Sequence, residues 1–294
     1  MKKIQFMKYK FILFAISAVI FLIGGIFGVI HGGFNLGMDF TGGAQIWADL
    51  GKEYSIQDVK LIMDKFDDAA TITTAGDTKH EVLIKTKHIF SNNERAQLQN
   101  AFNDKFGIDA SKMQFDTIGA VVGAELRNQA LIALALAMLG IMIYVSFRFE
   151  WKFGLAGVLA LVHDLLMMFT VYLVLDIPVN SSFIAAVLTI VGYSINDTIV
   201  IFDRMRENMK LQRKWEPETL ADDSINSTLA RSINTVMTVL ICVGALYVLG
   251  VPAIKEFALP LFIGIASGCY SSIFIASPIW VLLKGNPKKK RLAA

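Results

Sequence analysis

Cysteine and histidine are scarce in this sequence, and the few present form no metal-binding or disulfide pattern. The 294 residues include two cysteines and four histidines. Cys242 and Cys269 lie inside apolar runs, lack a C-x-x-C spacing and have no histidine cluster beside them. We interpret both as small apolar residues of a buried core. The sequence therefore predicts neither a metal site nor a cofactor.

Charged residues are also few, and this excludes an ordinary soluble globular protein. Only 18% of the residues are charged, whereas 54% are hydrophobic. The formal net charge of +3 makes no case for binding nucleic acid. Runs of at least about 18 apolar residues predict a polytopic α-helical membrane protein with six transmembrane helices. The runs are residues 11–30, 130–147, 153–175, 181–202, 232–249 and 257–283.

The basic residues predict the orientation of these helices. Lysine and arginine concentrate before the first run, between the fourth and fifth, and after the sixth, which places both termini in the cytoplasm. No A-x-A cleavage pattern follows the first run, so we interpret it as a retained anchor. The predicted divisions are a cytoplasmic N-terminus (1–10), helix one (11–31), an extracytoplasmic domain with connectors (32–128), helices two to six with a cytoplasmic loop at 204–231 (129–283), and a basic cytoplasmic tail (284–294).

The extracytoplasmic segment reads as a small α+β domain. AQIWADL, ATITTA, HEVLIKT and KMQFDTIG have strand patterns, and the second and third flank a turn at Gly76 and Asp77. SIQDVKLIMDKF and SNNERAQLQNAFNDKFG have helical spacing and begin at a serine. The order βαββαβ is that of ferredoxin-like domains. The domain carries no catalytic constellation, so we predict a binding or mechanical module.

Asp197 lies inside the fourth apolar run, where a carboxylate is costly. At 1.5 Å per residue it is roughly 9 Å from the cytoplasmic end of its helix. Insertion of an aspartate at such a position costs about 2.5–3.5 kcal/mol, so a compensating partner is expected. Arg231 lies at a similar depth on a polar stripe of the fifth helix. Asn196 and Asn234 are predicted to complete a polar cluster with them.

Two interpretations of this cluster stay open. Asp197 and Arg231 either form a static ion pair or form a proton-relay site whose protonation changes helix packing. Asp164, next to His163 in the third run, is either part of a proton path or a packed partner. Two intramembrane aspartates also suggest an aspartyl protease. Arg231 beside Asp197 and the lack of a GxGD motif argue against it, and we predict that the chain is not an enzyme.

Small residues and prolines indicate how the helices pack. Gly24 with Gly28, and Gly264 with Gly268, form GxxxG motifs that are typical of close helix contacts. Pro260 and Pro278 are predicted to kink the sixth helix, because proline lacks the N–H that the helix needs.

Five stretches of the sequence, in order, resemble the SecF family of protein-export membrane subunits in the resistance-nodulation-division superfamily. The resemblance covers nearly the whole chain. The stretches are LGMDFTGG (36–43), VGAELRNQA (122–130), VGYSINDTIVIFDRMREN (191–208), INSTLARSINT (225–235) and GCYSSIFIASP (268–278).

The resemblance implies a function in late protein export. Family members pair with SecD in the bacterial cytoplasmic membrane and associate with the SecYEG channel and SecA. They use the proton-motive force to promote translocation of unfolded preproteins across the lipid bilayer. The family residues tied to proton transport correspond here to Asp197 and Arg231. Two alternatives are half of a proton-coupled small-molecule exporter and a passive channel scaffold.

The LGMDFTGG stretch follows the first helix directly and is predicted to join it to the outer domain. Asp39 is suited to capping a tight turn out of the membrane, so we interpret it as a domain anchor. Gly42 and Gly43 are hinge candidates.

Overall fold

The computed structural model describes residues 4–75, 80–212 and 214–285. It contains a bundle of long helices and one sheet domain, which is inserted between the first and second long helices. The turn expected at Gly76 and Asp77 and nearly all of the basic tail lie outside the described residues.

The chain begins with a 3-10 turn, Met7–Tyr9, that leads into α1, Lys10–Ile30. A short helix α2, Met38–Thr41, precedes the sheet domain. The sheet domain runs through β1 (Gly43–Asp49), α3 (Ile56–Met63), β2 (Thr71–Ala75), β3 (Glu81–Thr86), α4 (Asn92–Phe106) and β4 (Met113–Ile118). The chain then forms α5 (Ala120–Arg148), α6 (Trp151–Val174), α7 (Ser181–Leu211), α8 (Pro217–Leu249), α9 (Pro252–Ser271), a π-helical turn (Ser272–Ala276) and α10 (Ser277–Lys284).

Within the described residues, six helices are long and apolar enough to cross a membrane, which confirms the predicted fold class. Several extend beyond the predicted apolar runs, because polar residues with good helix propensity continue them. The second spanning helix starts at Ala120, before the apolar run that begins at 130, and the fourth continues to Leu211, beyond the apolar run that ends at 202. The fifth starts at Pro217, where proline suits the first helical turn. The segment 204–231 is therefore helical except for a short connection.

The sheet domain has the strand order β2-β3-β1-β4, and all its pairs are antiparallel. This is the expected ferredoxin-like arrangement of βαββαβ. Its helices pack on one face of the sheet, and the core between them includes Ile46, Ile84, Leu98 and Phe102. The two helices start where the sequence predicts, at the capping residues Ser55 and Ser91.

The cap of α4 shows how a local signal fixes a helix end. The hydroxyl of Ser91 accepts the backbone N–H of Glu94, and the Glu94 carboxylate accepts the backbone N–H of Ser91. The Glu94 carboxylate also accepts the Ser91 hydroxyl at 2.8 Å. The bond from the Ser91 backbone N–H and, second, the bond from its hydroxyl hold the pKa of Glu94 below its usual range. Gly107 ends the helix in the left-handed conformation, with φ of 72°.

The middle of the membrane bundle is formed by α6, α7 and the α9–α10 segment, while α1, α5 and α8 expose most of their apolar side chains. The ring of Phe153 lies 4.7 Å from that of Phe202 and 4.9 Å from that of Trp280. The π-helical turn immediately precedes Pro278, where the sequence predicts a kink. The extra residue of a π-turn accommodates the missing proline N–H.

The LGMDFTGG segment joins the sheet domain to the bundle. The backbone N–H of Gly37 donates to the carbonyl of Val179 at 2.7 Å, and Val179 donates to the carbonyl of Asn35 at 2.8 Å. Asp39 then accepts the backbone N–H of Ser181, the first residue of α7, at 2.8 Å. The segment is therefore tied to the start of the helix that carries Asp197.

Gly43 begins β1 in a backbone conformation that requires glycine. Its φ is +152°, and the φ of the preceding Gly42 is +79°. A Cβ at Gly43 would overlap the carbonyl oxygen of Thr86 on the paired strand β3. Both the angle and the close approach exclude a larger residue.

We expect Gly43→Ala to loosen the β1–β3 pair. Strain of this kind costs about 1–3 kcal/mol, so amide hydrogen exchange in these strands should accelerate roughly tenfold. Exchange measured by mass spectrometry on the full-length protein tests this. Gly119→Ala is the matched control, because a Cβ there would meet nothing within 4 Å. Equal exchange in the two variants would contradict the expectation.

Candidate functional site

Asp197 lies on α7 with one carboxylate oxygen left unpaired inside the bundle. Its Oδ2 atom is buried and has no hydrogen-bond partner at normal distance and angle in the described part of the chain. The carboxylate borders a cavity that offers about 70 Å³ of space to water-sized molecules. The polar and titratable side chains around the cavity are Tyr193, Ser194, Asn196, Asp197, Arg231, Thr235 and Cys269.

Arg231 shares this cavity but does not form an ion pair with Asp197. Both side chains line it, and the two are close enough for the guanidinium charge to act on the carboxylate. The hydroxyls of Ser232 and Ser272 lie beside the carboxylate. Ser232 Oγ is itself buried without a hydrogen-bond partner among the described residues. The site therefore places an acidic and a basic side chain, with unsatisfied polar atoms, between α7 and α8.

Glycines in α9 allow the close helix approach that builds this site. A Cβ at Gly264 would overlap the Ile190 side chain of α7, and one at Gly268 would lie 3.0 Å from the Cβ of Ser194. The GxxxG pattern in the sequence therefore marks the α7–α9 contact. This contact brings Cys269 and Ser272 next to Asp197.

Of the two asparagines predicted to join the cluster, one lines the cavity and the other does not. Asn196 is exposed and lines the cavity. Asn234 lies on the exposed face of α8 and does not line it. Thr235 and Thr238 lie on the same exposed face, inside the apolar run of α8. The structure thus has a polar stripe at membrane depth that no other described part of the chain covers.

Asp164 forms a separate, fully enclosed cluster in the middle of the bundle. Its side chain is 1% exposed. Oδ2 accepts the hydroxyls of Ser194 and Ser271 at 2.6 and 2.7 Å. Oδ1 accepts the hydroxyl of Ser267 at 2.7 Å and faces Nδ1 of His163 at 3.3 Å. In contrast to Asp197, this carboxylate has partners on both oxygens.

The same cluster continues to α1 through His163. Its Nε2 atom lies 2.9 Å from Ser17 Oγ, which lies 3.5 Å from the hydroxyl of Tyr270. That hydroxyl donates to the carbonyl of Leu13. The polar contacts of Asp164 thereby connect α1, α6, α7 and α9.

Sequence reasoning identified Asp164 but missed its serine partners. A signal for two of them was present, since Ser267 and Ser271 are four residues apart and share one face of a helix. The contribution of Ser194 from another helix requires the folded structure.

The predicted anchor and hinge residues lie at the other end of α7. Asn180 is the N-cap residue of this helix, and Asp39 accepts the N–H of the next residue, Ser181, roughly 24 Å along the helix axis from Asp197 at 1.5 Å per residue. Beside it, Lys85 of β3 donates to Glu256 at 2.7 Å, and Asn180 donates to the same carboxylate at 2.6 Å. An ion pair therefore also joins the sheet domain to α9. The described residues contain no group of histidine, cysteine or carboxylate side chains arranged to hold a metal ion.

Comparison with known proteins assigns the chain to a family. Residues 97–286 match the family described as protein export membrane protein SecD/SecF, C-terminal. The protein translocase subunit SecF of Helicobacter pylori is 39% identical over 284 residues, which cover 95% of this chain and 87% of that protein. The protein translocase subunit SecDF of Bacillus subtilis is 37% identical over 290 residues, covering 96% of this chain and 38% of that protein.

Solved structures give the same result. The crystal structure of SecDF, a translocon-associated membrane protein from Thermus thermophilus, matches 96% of this chain with a TM-score of 0.83 and 34% identity. A crystal structure of SecDF in a super-membrane-facing form matches all of it, with a TM-score of 0.67 and 32% identity. This chain spans about two fifths of the length of the SecDF chains. The likeness to part of a SecDF chain supports a SecD partner for this protein or a fusion with SecD. The chain belongs to the SecD/SecF family of protein-export membrane proteins, as one of its SecF members.

Proposed function

We propose that the chain is the SecF part of a proton-driven accessory complex of the Sec translocase. It works with SecD in the bacterial cytoplasmic membrane, with both termini in the cytoplasm and the sheet domain outside. The complex acts beside the SecYEG channel and SecA and promotes the late translocation of unfolded preproteins. Asp197 and Arg231 couple this work to proton flow.

The observation that carries the proposal is the unpaired Oδ2 of Asp197. A buried carboxylate oxygen without a hydrogen bond is costly in its charged form. Arg231, on the same cavity, favours the charged form. Opposing influences of this kind suit a group that gains and loses a proton as its surroundings move. A purely structural ion pair would instead have its charges joined directly.

The energy available is sufficient for such a change. One elementary charge that crosses the membrane potential releases about 2.3 kcal/mol per 100 mV. Conformational equilibria with gaps of a few kcal/mol respond to a bias of this size.

Helix α7 provides the connection from Asp197 to the sheet domain. It is continuous from Ser181 to Leu211, and the N–H of its first residue donates to Asp39 of the segment that leads into β1. A change in packing at Asp197 therefore reaches the sheet domain through a rigid helix. The proposed work of the complex is movement or reorientation of this domain against the exported chain.

The polar stripe on α8 supports the pairing with SecD. Asn234, Thr235 and Thr238 are exposed in this chain, although they lie within an apolar run that spans the membrane. Polar side chains at that depth favour protein partners over lipid. We place the transmembrane helices of SecD against this stripe and the adjacent cavity.

Asp197→Asn is expected to abolish the proton-coupled step while it preserves the size of the side chain. Cells with this variant as their only copy should accumulate uncleaved precursors of exported proteins. The measurement is the uncleaved fraction in a pulse-chase experiment, with membrane levels of the chain and of SecD verified as normal.

Asp104→Asn is the control for that experiment, because Asp104 is an exposed residue of α4 in the sheet domain. It should process precursors at the normal rate. Normal processing in Asp197→Asn would refute the proton-coupling function and favour a passive channel scaffold.

Asp39→Ala is expected to weaken the junction between the sheet domain and α7. The N-cap residue Asn180 remains, but the bond from the Ser181 N–H to a charged acceptor is lost. Such a bond contributes about 1.5–3 kcal/mol, so precursor processing should slow while Asp197 remains unchanged. Asp39→Asn is the matched variant, since asparagine keeps an oxygen that accepts the Ser181 N–H. Equal processing by the alanine and asparagine variants would show that this bond does not contribute.

A photo-activated crosslinker at position 238 should form an adduct with SecD in intact membranes. The same crosslinker at position 139 is the control, because Leu139 lies on the exposed apolar side of α5. Adducts are detected by immunoblotting with antibody against SecD. Absence of a SecD adduct at 238, or an equal yield at both positions, would contradict the proposed interface.

A further inference from the structure

One carboxylate joins the sheet domain to two helices of the bundle. Glu256, near the start of α9, accepts the ammonium group of Lys85 of β3 at both of its oxygens, at 2.7 and 2.9 Å. The side-chain amide of Asn180, the N-cap residue of α7, donates to the same carboxylate at 2.6 Å. The sheet domain, α7 and α9 therefore meet at Glu256.

Asn180 uses both ends of its amide group at this junction. Its Oδ1 atom accepts the backbone N–H of Phe183 at 2.9 Å and so caps the first turn of α7. Its Nδ2 atom makes the bond to Glu256. One side chain can serve both groups, because the oxygen of an amide accepts hydrogen bonds while its nitrogen donates them. The bond from Asn180 to Glu256 thereby fixes the start of α7 relative to the start of α9.

The same two helices form the cavity beside Asp197. Side chains of both helices line it, among them Ser194 of α7 and Cys269 of α9. A Cβ at Gly268 would lie 3.0 Å from the Cβ of Ser194, so α7 and α9 are in close contact at this level. Glu256 lies roughly 20 Å along α9 from Cys269 at 1.5 Å per residue. A change in the spacing of the two helices at Glu256 should therefore change the cavity.

Pro260 allows the beginning of α9 to bend. In a regular helix the N–H of residue 260 would bond to the carbonyl of Glu256, four residues earlier, but proline has no N–H. The turn that carries Glu256 thus lacks one of its bonds to the rest of α9. Prolines are a usual cause of bends in helices for this reason. The position of the turn consequently depends more on its side-chain contacts with Lys85 and Asn180.

The contact between Lys85 and Glu256 combines good geometry with access to water. Their side chains are 29% and 37% exposed. Isolated exposed ion pairs contribute little to stability, whereas a pair with ideal geometry or several partners contributes more. A cavity that borders Lys85, Asn180 and Glu256 offers about 330 Å³ of space to water-sized molecules. Water can therefore bind these groups when the ion pair separates, so the contact can both hold and release.

We propose that Glu256 is a positioning residue, which couples the orientation of the sheet domain to the Asp197 cavity through a releasable contact with Lys85. While the contact is made, α7 and α9 keep their spacing. When the sheet domain turns away, Lys85 leaves, the start of α9 bends at Pro260, and the cavity opens. The sheet domain stays attached through the segment 37–43. The inference rests on the proposed function for the work that this movement performs, whereas the coupling of the contact to the cavity is independent of it.

The test follows the thiol of Cys269, which lines the cavity. The full chain, in membranes with SecD, is treated with N-ethylmaleimide, and alkylation of Cys269 is measured by mass spectrometry of its peptide. Cys242 of α8 is exposed and serves as the reference in the same sample. A cavity wall that opens more often exposes its thiol more often. The rate at Cys269 relative to that at Cys242 therefore reports the state of the cavity.

Lys85→Met should accelerate alkylation of Cys269 about fivefold, the size of effect that a partly exposed ion pair allows. Methionine keeps the apolar part of the side chain but carries no charge. Lys85→Arg keeps the charge and should restore the rate. Glu256→Gln should accelerate alkylation at least as much, because it also weakens the bond from Asn180. Adding Lys85→Met to Glu256→Gln should have no further effect, since both changes remove one interaction.

Lys105→Met is the matched control, because Lys105 of α4 forms its ion pair with Asp58 of α3, at 3.0 Å, inside the sheet domain. It should leave the rate at Cys269 unchanged. A Lys85→Met rate equal to that of Lys105→Met, or a Lys85→Arg rate equal to that of Lys85→Met, would overturn the coupling. Glu256→Gln decides the question in the same way if Lys85→Met is not made in normal amounts.

The labelling experiment is separate from the test of the proposed function. Normal export by Asp197→Asn would refute the proposed function and leave the labelling result in place. Equal labelling of Cys269 in Lys85→Met and Lys105→Met would refute the coupling through Glu256 and leave the proton-coupling function in place.

Discussion

The packing of the helix bundle depends on the free-energy cost of placing a carboxylate within membrane-spanning helices. The chain meets this cost in two ways. Asp164 is surrounded by hydroxyl and imidazole groups, and it joins α6, α7 and α9 as strongly as buried polar contacts allow. Asp197, one helical turn from Ser194 on α7, keeps an unpaired oxygen beside a cavity and a guanidinium. The first arrangement pairs both carboxylate oxygens, and the second is the one at which we propose a change of charge.

These two sites explain the division of the bundle into parts. The helices around Asp164 are packed closely, with glycines where α9 approaches α7 and where α1 approaches α6. The opposite side of α7, toward α8, contains the cavity and the exposed polar stripe. In the proposed function, α7 connects the bundle to the sheet domain, and the cavity at Asp197 lies on the side where SecD is proposed to bind.

Much of this was predictable from the sequence, because membrane helices and capped soluble helices have strong local signals. The six apolar runs, the serine caps of α3 and α4 and the βαββαβ order are confirmed. Apolar runs do not fix the helix ends outside the membrane, since they define the spanning part alone and polar residues extend α5, α7 and α8. The proximity of Asp197 and Arg231 was predictable from depth, whereas the serines around Asp164 come from different helices and no local pattern pairs them.

The most direct measurement is the infrared difference spectrum of the SecD-bound chain in proteoliposomes, recorded with and without an imposed proton gradient. The account predicts that the gradient produces a band from a protonated carboxyl group and that this band is missing in Asp197→Asn but present in Asp104→Asn. A band that persists in Asp197→Asn, or a spectrum that does not respond to the gradient, would contradict the claim that Asp197 carries the proton.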